Sequence, residues 1–260
     1  MPRNLQAVLF DCDGVLAETE RDGHRVCYNL AFEREGVDAH WSVGDYAGLV
    51  RIAGGKERLR AFFAAHPEKY PPAEFGQERI LRLYRRKTEI FREMAAKGRL
   101  KARPGIPRLI RELHESGVLL FVCSTSHRES VEALLRANLG ETGIGWFADL
   151  LCGDIVPHKK PAPDIYRLAV EKHALGPARC VVVEDSRNGL LAALGAGLHC
   201  LITTSFYTSR ESFAEADAAV STLGDPGGPR AECLKKGPMA VSGGFVSEED
   251  LEALVSAPAV

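Results

Sequence analysis

The sequence predicts an α/β protein, a doubly wound parallel sheet with an inserted all-helical cap. Beyond residue 97, short apolar runs alternate with segments of helical periodicity, which is typical of parallel strands joined by helical crossovers. Residues 19–97, by contrast, show helical patterns and almost no strand pattern. One strand therefore comes first, and the helical insertion separates it from the rest of the sheet. We expect residues 1–17 and 98–260 to form the core and residues 18–97 to form the cap.

Composition and charge exclude several classes of partner. The 260 residues are 45% hydrophobic and 26% charged, which is ordinary for a globular chain with a sizeable core. A net charge of −2 without a basic block predicts no nucleic-acid partner, and no apolar run approaches the ~20 residues of a membrane-spanning helix. The seven cysteines are scattered and show no C-x-x-C spacing. They indicate a reducing compartment, without a disulfide framework or structural zinc.

The first predicted strand, residues 7–10, ends in two carboxylates one residue apart, Asp11 and Asp13, followed by Gly14. Ligands of such sheets lie beyond the carboxyl ends of the strands. Two acids there repel each other and lose hydration, which is costly unless a cation compensates them. A helix cap or an Asx turn requires only one of them. An EF-hand loop is excluded because its sixth position, normally Gly, is Leu16.

The insertion contains three predicted helices, each with an apolar stripe. Loops containing glycine, around Gly44 and at residues 54–55, separate the first two helices. Since the insertion enters directly after the two acids, we expect it to lie over them as a lid. The helices are predicted over residues 19–35, 56–65 and 75–97.

After residue 104, helices and strands alternate to the end of the sheet. Residues 224–244 are rich in Gly and Pro and are predicted to form a mobile loop. Ser247 and Asp250 resemble a capping box for a final helix. The predicted strands cover residues 118–123, 147–153, 180–185 and 199–204, and the helices cover residues 106–115, 129–138, 164–173 and 188–194.

Hydroxyl groups follow the strand 118–123, where they can converge with Asp11. Ser124, Thr125 and Ser126 come directly after this strand. All three are candidate substrate-binding residues, although Ser126 also fits a capping box with Glu129, which is the structural alternative for it. Capping does not explain Ser124, whose hydroxyl can join the N–H groups of the helix start in a phosphate cradle.

Charged residues follow two further strands. Lys160 precedes a proline and is therefore biased to an extended conformation that can reach inward, whereas Lys159 is predicted to be a surface lysine. Glu184 and Asp185 end the strand 180–185, although either could merely cap the helix that follows. Paired acids at two strand ends of one sheet favour a shared site.

Together, Asp11, Asp13 and Asp185 make an oxygen-ligand site suited to Mg²⁺. Carboxylates, a magnesium ion, a hydroxyl and a lysine around one point suit phosphoryl transfer. Mg²⁺, Lys160 and Ser124 would neutralise the phosphate oxygens while Asp11 attacks phosphorus in line. Asp13 would protonate the leaving oxygen and then activate water. No G-x-x-x-x-G-K-[ST] loop occurs, so a P-loop NTPase is disfavoured.

Four motifs in this order resemble those of haloacid dehalogenase-type phosphatases over nearly the whole chain. They are DCDG from Asp11, Ser124 at a strand end, Lys160 before PAPD, and EDSRNG from Glu184. The insertion directly after the first motif resembles the cap of the β-phosphoglucomutase-like branch, which implies a Rossmann-like core. The stretches ETERDGHR (18–25) and GGKERL (54–59) are similar to CbbY proteins, which dephosphorylate xylulose-1,5-bisphosphate, an inhibitor of Rubisco.

The resemblance implies a Mg²⁺-dependent sugar-bisphosphate phosphatase that acts through an aspartyl-phosphate on Asp11. A β-phosphoglucomutase-type sugar phosphomutase, which returns the phosphate to the sugar, is the alternative. A non-catalytic sensor of phosphorylated ligands is disfavoured because Asp11 and Asp13 are both present. We expect a monomer in the chloroplast stroma, with its transit peptide absent from this chain, or otherwise in a bacterial cytoplasm.

A bisphosphate needs a second anion site, and the insertion offers candidates. Gly54, Gly55 and Lys56 open a helix, whose N–H groups and dipole attract phosphate, although an ordinary glycine hinge explains them nearly as well. Lys87 lies on the apolar face of its helix, where snorkelling to solvent is the alternative. The resemblance makes Lys87 a substrate contact.

The resemblance also assigns Glu18 to the sugar hydroxyls and Tyr46 to the substrate. A solvated hinge residue and a packed residue of the cap core are the respective alternatives. His24 lies one residue further from Asp11 than the mutase-type histidine, so we interpret it as a satisfied core histidine. Arg51 and Arg58 are candidate phosphate partners without a firm assignment.

Overall fold

The computed structural model describes residues 4–256 and contains a seven-stranded sheet. The strands are β1 Ala7–Phe10, β2 Leu119–Ser124, β3 Phe147–Cys152, β4 Cys180–Glu184, β5 His199–Thr203, β6 Ala218–Val220 and β7 Cys233–Lys235. Their order is β3-β2-β1-β4-β5-β6-β7, with β1 to β6 parallel and β7 antiparallel to β6. The predicted fold is confirmed. Since β2 and β4 flank β1, the residues that follow these three strands meet at one edge.

Helices cover both faces of the sheet, which explains its continuous apolar strands. These helices are α5 Ile106–Glu115, α6 Arg128–Ile144, α7 Asp164–Lys172, α8 Arg187–Gly195 and α9 Glu248–Ser256. In β1, Val8 and Phe10 pack with α5, α6 and α9, whereas Ala7 and Leu9 pack with α7 and α8. The strand is therefore buried on both faces, as its sequence predicts.

The insertion forms four helices between β1 and β2, preceded by a π-helical turn, Glu20–His24. The helices are α1 Arg25–Arg34, α2 Val43–Leu49, α3 Gly55–Ala64 and α4 Gln77–Ala96. They enclose a core of their own, rich in aromatic residues such as Tyr28, Phe32 and Trp41. We call residues 18–97 the insert. This separate core supports the proposed division into an insert and a sheet domain of residues 1–17 and 98–260.

The segment around Gly44 is a helix, α2, rather than the predicted loop. Ser42 Oγ accepts a hydrogen bond from the Asp45 N–H at 3.1 Å, and an Asp45 carboxylate oxygen accepts one from the Ser42 N–H at 3.0 Å. This reciprocal capping box compensates for the low helix propensity of glycine.

Residues 224–244, which were predicted to form a mobile loop, pack against the sheet domain and contain a short strand. The segment contains β7, and its Met239 side chain is buried. Asp250 Oδ1 accepts hydrogen bonds from the N–H groups of Ala240 and Val241 at 2.8 and 2.9 Å. Asp250 also forms the predicted capping box with Ser247 at the start of α9. One side chain therefore both starts the last helix and fixes the segment before it.

The seven cysteines are all free thiols in this structure. Six of them are buried in the core, and Cys233 is exposed on β7. Across residues 4–256, no helix has both the length and the apolar surface that crossing a membrane requires.

Candidate active site

Gly14 allows the loops after β1 and β4 to approach each other closely. Its φ is +85°, and a Cβ at this position would lie 2.2 Å from Asp185 Oδ2. Any side chain would therefore displace this carboxylate as well as strain the backbone. The Gly14 carbonyl accepts a hydrogen bond from the buried Arg103 guanidinium, which also bonds the carbonyls of Thr203 and Thr204 after β5.

Asp11, Glu184 and Asp185 form a buried acidic cluster at this edge of the sheet. Carboxylate oxygens of the three residues lie within 4.8 Å of one another. Asp11 follows β1, and the other two residues end the neighbouring β4 or follow it directly. Glu184 joins Asp11 and Asp185 in this cluster, whereas the Asp13 carboxylate lies outside it, and the assignment of Asp13 as a metal ligand stays a prediction.

The Asp13 carboxylate is instead held by three side chains. Oδ1 accepts a hydrogen bond from Thr19 Oγ1 at 2.5 Å and lies 2.8 Å from His24 Nε2, while Oδ2 accepts one from Ser126 Oγ at 2.5 Å. Burial raises the pKa of Asp13, but His24 and the hydroxyl donors more than offset this and hold the pKa well below its ordinary value. Asp13 is therefore ionised in this arrangement.

Ser126 does not cap a helix, in contrast to the prediction. Helix α6 begins at Arg128 after His127, without a side-chain cap. Ser126 Oγ bonds Asp13, and its N–H donates to Ser124 Oγ at 3.1 Å. The hydroxyl that looked structural in the sequence therefore belongs to the site.

His24 reaches Asp13 through the π-helical turn Glu20–His24, in which the Arg25 N–H donates to the Glu20 carbonyl five residues before it. Such a turn accommodates one more residue than an α-helical turn. His24 is buried and stacks on Phe91 with ring centroids 4.3 Å apart, as a core histidine should. Its Nε2, however, contacts Asp13, so the interpretation as a purely structural histidine is incomplete.

Lys160 lies at the centre of the acidic cluster, as predicted. Its Nζ donates to Asp11 Oδ1 at 2.6 Å, to Glu184 Oε1 at 2.5 Å and to the Cys123 carbonyl at 2.9 Å. Burial lowers the pKa of Lys160, but Asp11 and Glu184 more than offset this and raise it above its ordinary value. The lysine is therefore a fixed positive charge next to Asp11.

One lysine does not balance the charge of this cluster. Burial raises the pKa of Asp11 to about 8, with Lys160 opposing and Glu184 adding to the shift. Burial also raises the pKa of Asp185 well above its ordinary value, and Glu184 and Asp11 reinforce the shift. A bound cation would relieve this cost. The donor set is all carboxylate oxygen, which fits a hard divalent cation such as Mg²⁺.

A cavity of about 500 Å³ opens at the acidic cluster. This volume suits a small organic ligand. Asp11, Asp13, Lys160 and Asp185 line its floor together with Thr125, and the insert contributes residues from Val50 to Arg58. Ser124 is buried and does not line the cavity.

A second, small cavity of about 30 Å³ lies beside the large one, between the insert and the start of α6. Lys87 lines it, as do Gly54, Gly55 and Ser126. Lys87 is only 7% exposed, so it does not snorkel to solvent. Burial lowers its pKa to about 8, although Asp13 opposes the shift.

Three insert residues lie away from both cavities in this structure. Tyr46 is buried in the insert core and donates to Glu20 Oε2 at 2.6 Å. The Glu18 carboxylate accepts a hydrogen bond from the Phe206 N–H at 3.3 Å. Lys56 pairs with Asp154 of the sheet domain. Their assignment as substrate contacts remains a prediction.

Glu20 and Arg58 line both cavities and form an ion pair at 3.0 Å. Glu20 was not among the predicted site residues, although it lies in the stretch ETERDGHR, whose similarity to CbbY proteins could have indicated it. Tyr207, after β5, also lines the large cavity, and its hydroxyl has no hydrogen-bond partner among the described residues. No motif marked this residue.

The family model for haloacid dehalogenase-like hydrolases matches residues 5–197. The chain belongs to this family. The match begins just before β1 and ends just beyond α8, so it includes the whole acidic cluster and the insert. The predicted family, and with it an enzyme of the hydrolase type, is confirmed.

Two named proteins are similar to this chain over most of its length. The chain is 44% identical over 223 residues to the CBBY-like protein of Arabidopsis thaliana, covering 85% of this chain and 70% of the relative. It is 44% identical over 224 residues to Protein CbbY of Cereibacter sphaeroides, covering 86% of this chain and 95% of the relative.

Solved structures agree with these relatives. CbbY from Rhodobacter sphaeroides in complex with phosphate matches with a TM-score of 0.78 and 43% identity, over 84% of this chain and 94% of that one. A mutant of that protein in complex with xylulose-(1,5)bisphosphate matches with a TM-score of 0.78 and 42% identity, over 86% of this chain and 96% of that one.

Proposed function

We propose that this hydrolase is a Mg²⁺-dependent sugar-bisphosphate phosphatase that acts through an aspartyl-phosphate on Asp11, with xylulose-1,5-bisphosphate as its substrate. The position of Lys160 carries the proposal. Its Nζ lies 2.6 Å from Asp11 Oδ1, at a buried acidic cluster that opens into a cavity of ligand size. A carboxylate beside a fixed cation can receive a phosphoryl group whose charge the cation neutralises.

In this mechanism an Asp11 oxygen attacks phosphorus, and the bond from phosphorus to the sugar oxygen breaks. Asp13 protonates the leaving oxygen and later takes a proton from the water that hydrolyses the aspartyl-phosphate. Asp13 is ionised while it bonds Thr19, His24 and Ser126, so it has to exchange one of these partners for the leaving oxygen and take up a proton before it acts as the acid.

The acidic cluster, Asp11 with Glu184 and Asp185, would hold the metal ion. When bound, Mg²⁺ supplies charge neutralisation for the phosphate oxygens. Lys160 also neutralises the phosphate oxygens. Thr125, which lines the cavity floor, positions the phosphate beside Asp11. Ser124, whose hydroxyl bonds the Ser126 N–H, shapes this loop from behind.

We propose the Lys87 cavity as the place of the second phosphate. Lys87 Nζ forms no hydrogen bond or ion pair with the residues described, and it lies over the rings of Tyr28 and Phe91 at 5.1 and 5.4 Å. Helix α3 starts in the same cavity at Gly54–Gly55 without a side chain from its N-cap residue, so the N–H groups of its first turn other than that of Glu57, which bonds its own carboxylate, are available to an anion. Because 30 Å³ has room for about one water, the insert moves when phosphate enters.

The relatives support the finer parts of this proposal. A homologous structure holds xylulose-(1,5)bisphosphate, and the named relatives come from a plant and from a bacterium. We therefore propose the chloroplast stroma or a bacterial cytoplasm as the location, and a monomer as the working form.

Phosphate release from xylulose-1,5-bisphosphate, ribulose-1,5-bisphosphate and glucose phosphates tests the proposal. We expect stoichiometric inorganic phosphate, xylulose-1,5-bisphosphate as the best substrate, and loss of activity on chelation that Mg²⁺ restores. Asp11→Asn should abolish turnover, whereas Asp22→Asn, at an exposed site in the insert, should not. An isomerised sugar phosphate in place of free phosphate would identify a mutase. Full activity of a pure Asp11→Asn sample would contradict the aspartyl-phosphate.

A further inference from the structure

Four alternating charges join the insert to the loop that carries Lys160. Lys159 Nζ lies 2.9 Å from Glu57 Oε2 and 3.0 Å from Asp154 Oδ1, and Lys56 Nζ pairs with the other oxygen of Asp154. We call these residues the clasp: Lys56 and Glu57 from the first turn of α3, and Asp154 and Lys159 from the loop between β3 and α7. Lys159, which was predicted to be a surface lysine, is partly exposed and forms ion pairs with two carboxylates.

The clasp is more than a set of isolated surface pairs. The Lys56 and Lys159 side chains are only 22% and 19% exposed, and both share Asp154 as a partner. At Gly54, before α3, a Cβ would lie 2.2 Å from Glu57 Oε2 and 2.6 Å from Lys159 Nζ. The glycine therefore leaves the space in which this pair forms, next to both cavities.

The clasp contacts both ends of one short loop. Asp154 comes two residues after β3, and Lys159 is the residue directly before Lys160. Consecutive Cα atoms are fixed about 3.8 Å apart. A displacement of Lys159 therefore moves Lys160, whose Nζ has to stay within hydrogen-bond distance of Asp11.

We propose that the clasp holds the insert closed over the cavity and, in closing, sets the position of Lys160 beside Asp11. Glu57 and Lys159 are then positioning residues, which act through Lys160 rather than on the substrate. When the clasp opens, the insert admits substrate and the loop after β3 is released. This inference rests on the proposed function for its kinetic readout only.

A double-mutant cycle of Glu57→Gln and Lys159→Gln tests the clasp. Each single variant should lower kcat for phosphate release as well as kcat/KM, the latter about fivefold, as expected for a partly exposed pair. The double variant should be no worse than Lys159→Gln alone, and Lys159→Arg, which keeps the charge, should retain activity. Hydrogen–deuterium exchange on the unliganded protein should speed up at residues 54–58 and 153–160 in both single variants.

Arg92→Gln is the matched control, because Arg92 of α4 pairs with Glu129 of α6 and so also joins the insert to the sheet domain. It should leave kcat unchanged. The clasp would be overturned if the effects of the two single variants multiply in the double variant, or if hydrogen–deuterium exchange is unchanged at both segments. It would also be overturned if only KM rises, or if Arg92→Gln loses as much kcat as the clasp variants. If the unmodified protein releases no phosphate from any bisphosphate, the proposed function fails, while the exchange measurement still decides whether the clasp closes the insert.

Discussion

Burial of the charged Lys87 side chain lowers the stability of the folded protein. It occupies the apolar face of α4, it is 7% exposed, and no carboxylate of the described chain forms an ion pair with it. Burial lowers its pKa from 10.5 to about 8. A charge held in such a place against its own hydration is typical of a binding site rather than of a structural position.

Lys87→Met should stabilise the protein and weaken bisphosphate binding. Below pH 8, lysine is charged in both the folded and unfolded states, so the burial cost is fully present. Between pH 8 and about 10.5 only the unfolded state keeps the proton, and stability rises with pH. The variant should therefore gain on the order of 3 kcal/mol at pH 7, and this gain should shrink towards pH 10.5.

Urea denaturation across this pH range measures the gain, and the KM for the bisphosphate measures the loss. Arg85→Met, on the exposed face of the same helix, controls for removing a cation from α4. A stability difference between Lys87→Met and the unmodified protein that does not change from pH 7 to about pH 10 would show that the charge is not the cause.

Residues that follow strands were predictable from the sequence, whereas their partners were not. Asp11 and Lys160 could be placed together because strand ends converge. The presence of Glu184 rather than Asp13 in the acidic cluster could not be predicted. It depends on Thr19, His24 and Ser126, which hold the Asp13 carboxylate away from the cluster. Such side-chain contacts between distant segments leave no periodic pattern in the sequence.

At the scale of the elements, Arg103 connects three loops of the sheet domain. This residue precedes α5, is 9% exposed, and donates to the carbonyls of Thr203 at 3.1 Å, Thr204 at 2.6 Å and Ser221 at 2.9 Å, as well as to that of Gly14. The guanidinium thus joins the loop after β1 to the end of β5 and to the residue after β6 through backbone carbonyls.

Arg103→Met should destabilise the protein by on the order of 3 kcal/mol, because it leaves buried carbonyls without donors. Urea denaturation measures this loss. Arg111→Met, at an exposed site on α5, is the control and should change stability by no more than about 0.5 kcal/mol. Equal effects of the two substitutions would show that the carbonyl contacts contribute nothing.

Most long elements were predicted to within two residues, although α6 extends to Ile144 rather than ending at residue 138, and the short elements were missed. β6 and β7 have three residues each, too few to show an alternating pattern. α2 has a low helix propensity, and its signal lay in the Ser42–Asp45 spacing rather than in its composition. The π-helical turn that delivers His24 was also hidden, because it lies before the apolar stripe of α1 and does not change the spacing within that stripe.

At the scale of the whole molecule, the alternation of strands and helices predicted the sheet, and the interruption of that alternation predicted the insert. Neither pattern predicts how the charged side chains are distributed between the sheet domain and the insert. Five cationic side chains line the large cavity in the part of the chain that the structure describes. Three are paired with acids: Arg58 with Glu20, Lys160 with Asp11, and Arg187 with Glu215.

The other two cations, Arg51 of the insert and Arg210 after β5, are exposed and form no ion pair within residues 4–256. The protein as a whole has a net charge of −2. Arg51 and Arg210 add exposed positive charge beside a cavity whose lining also includes six carboxylates. Positive charge at the entrance of a cavity accelerates the capture of anionic ligands.

Arg51→Gln and Arg210→Gln should each lower kcat/KM for a bisphosphate about threefold to tenfold at low ionic strength, with little change in kcat. The difference from the unmodified protein should fade between about 0.01 M and about 1 M salt, as the Debye length falls from ~30 to ~3 Å. Arg111→Gln removes an exposed arginine away from the cavity and should have no such effect. A deficit that persists undiminished in high salt would mean that the arginines contact the bound substrate directly, and the steering role would then be wrong.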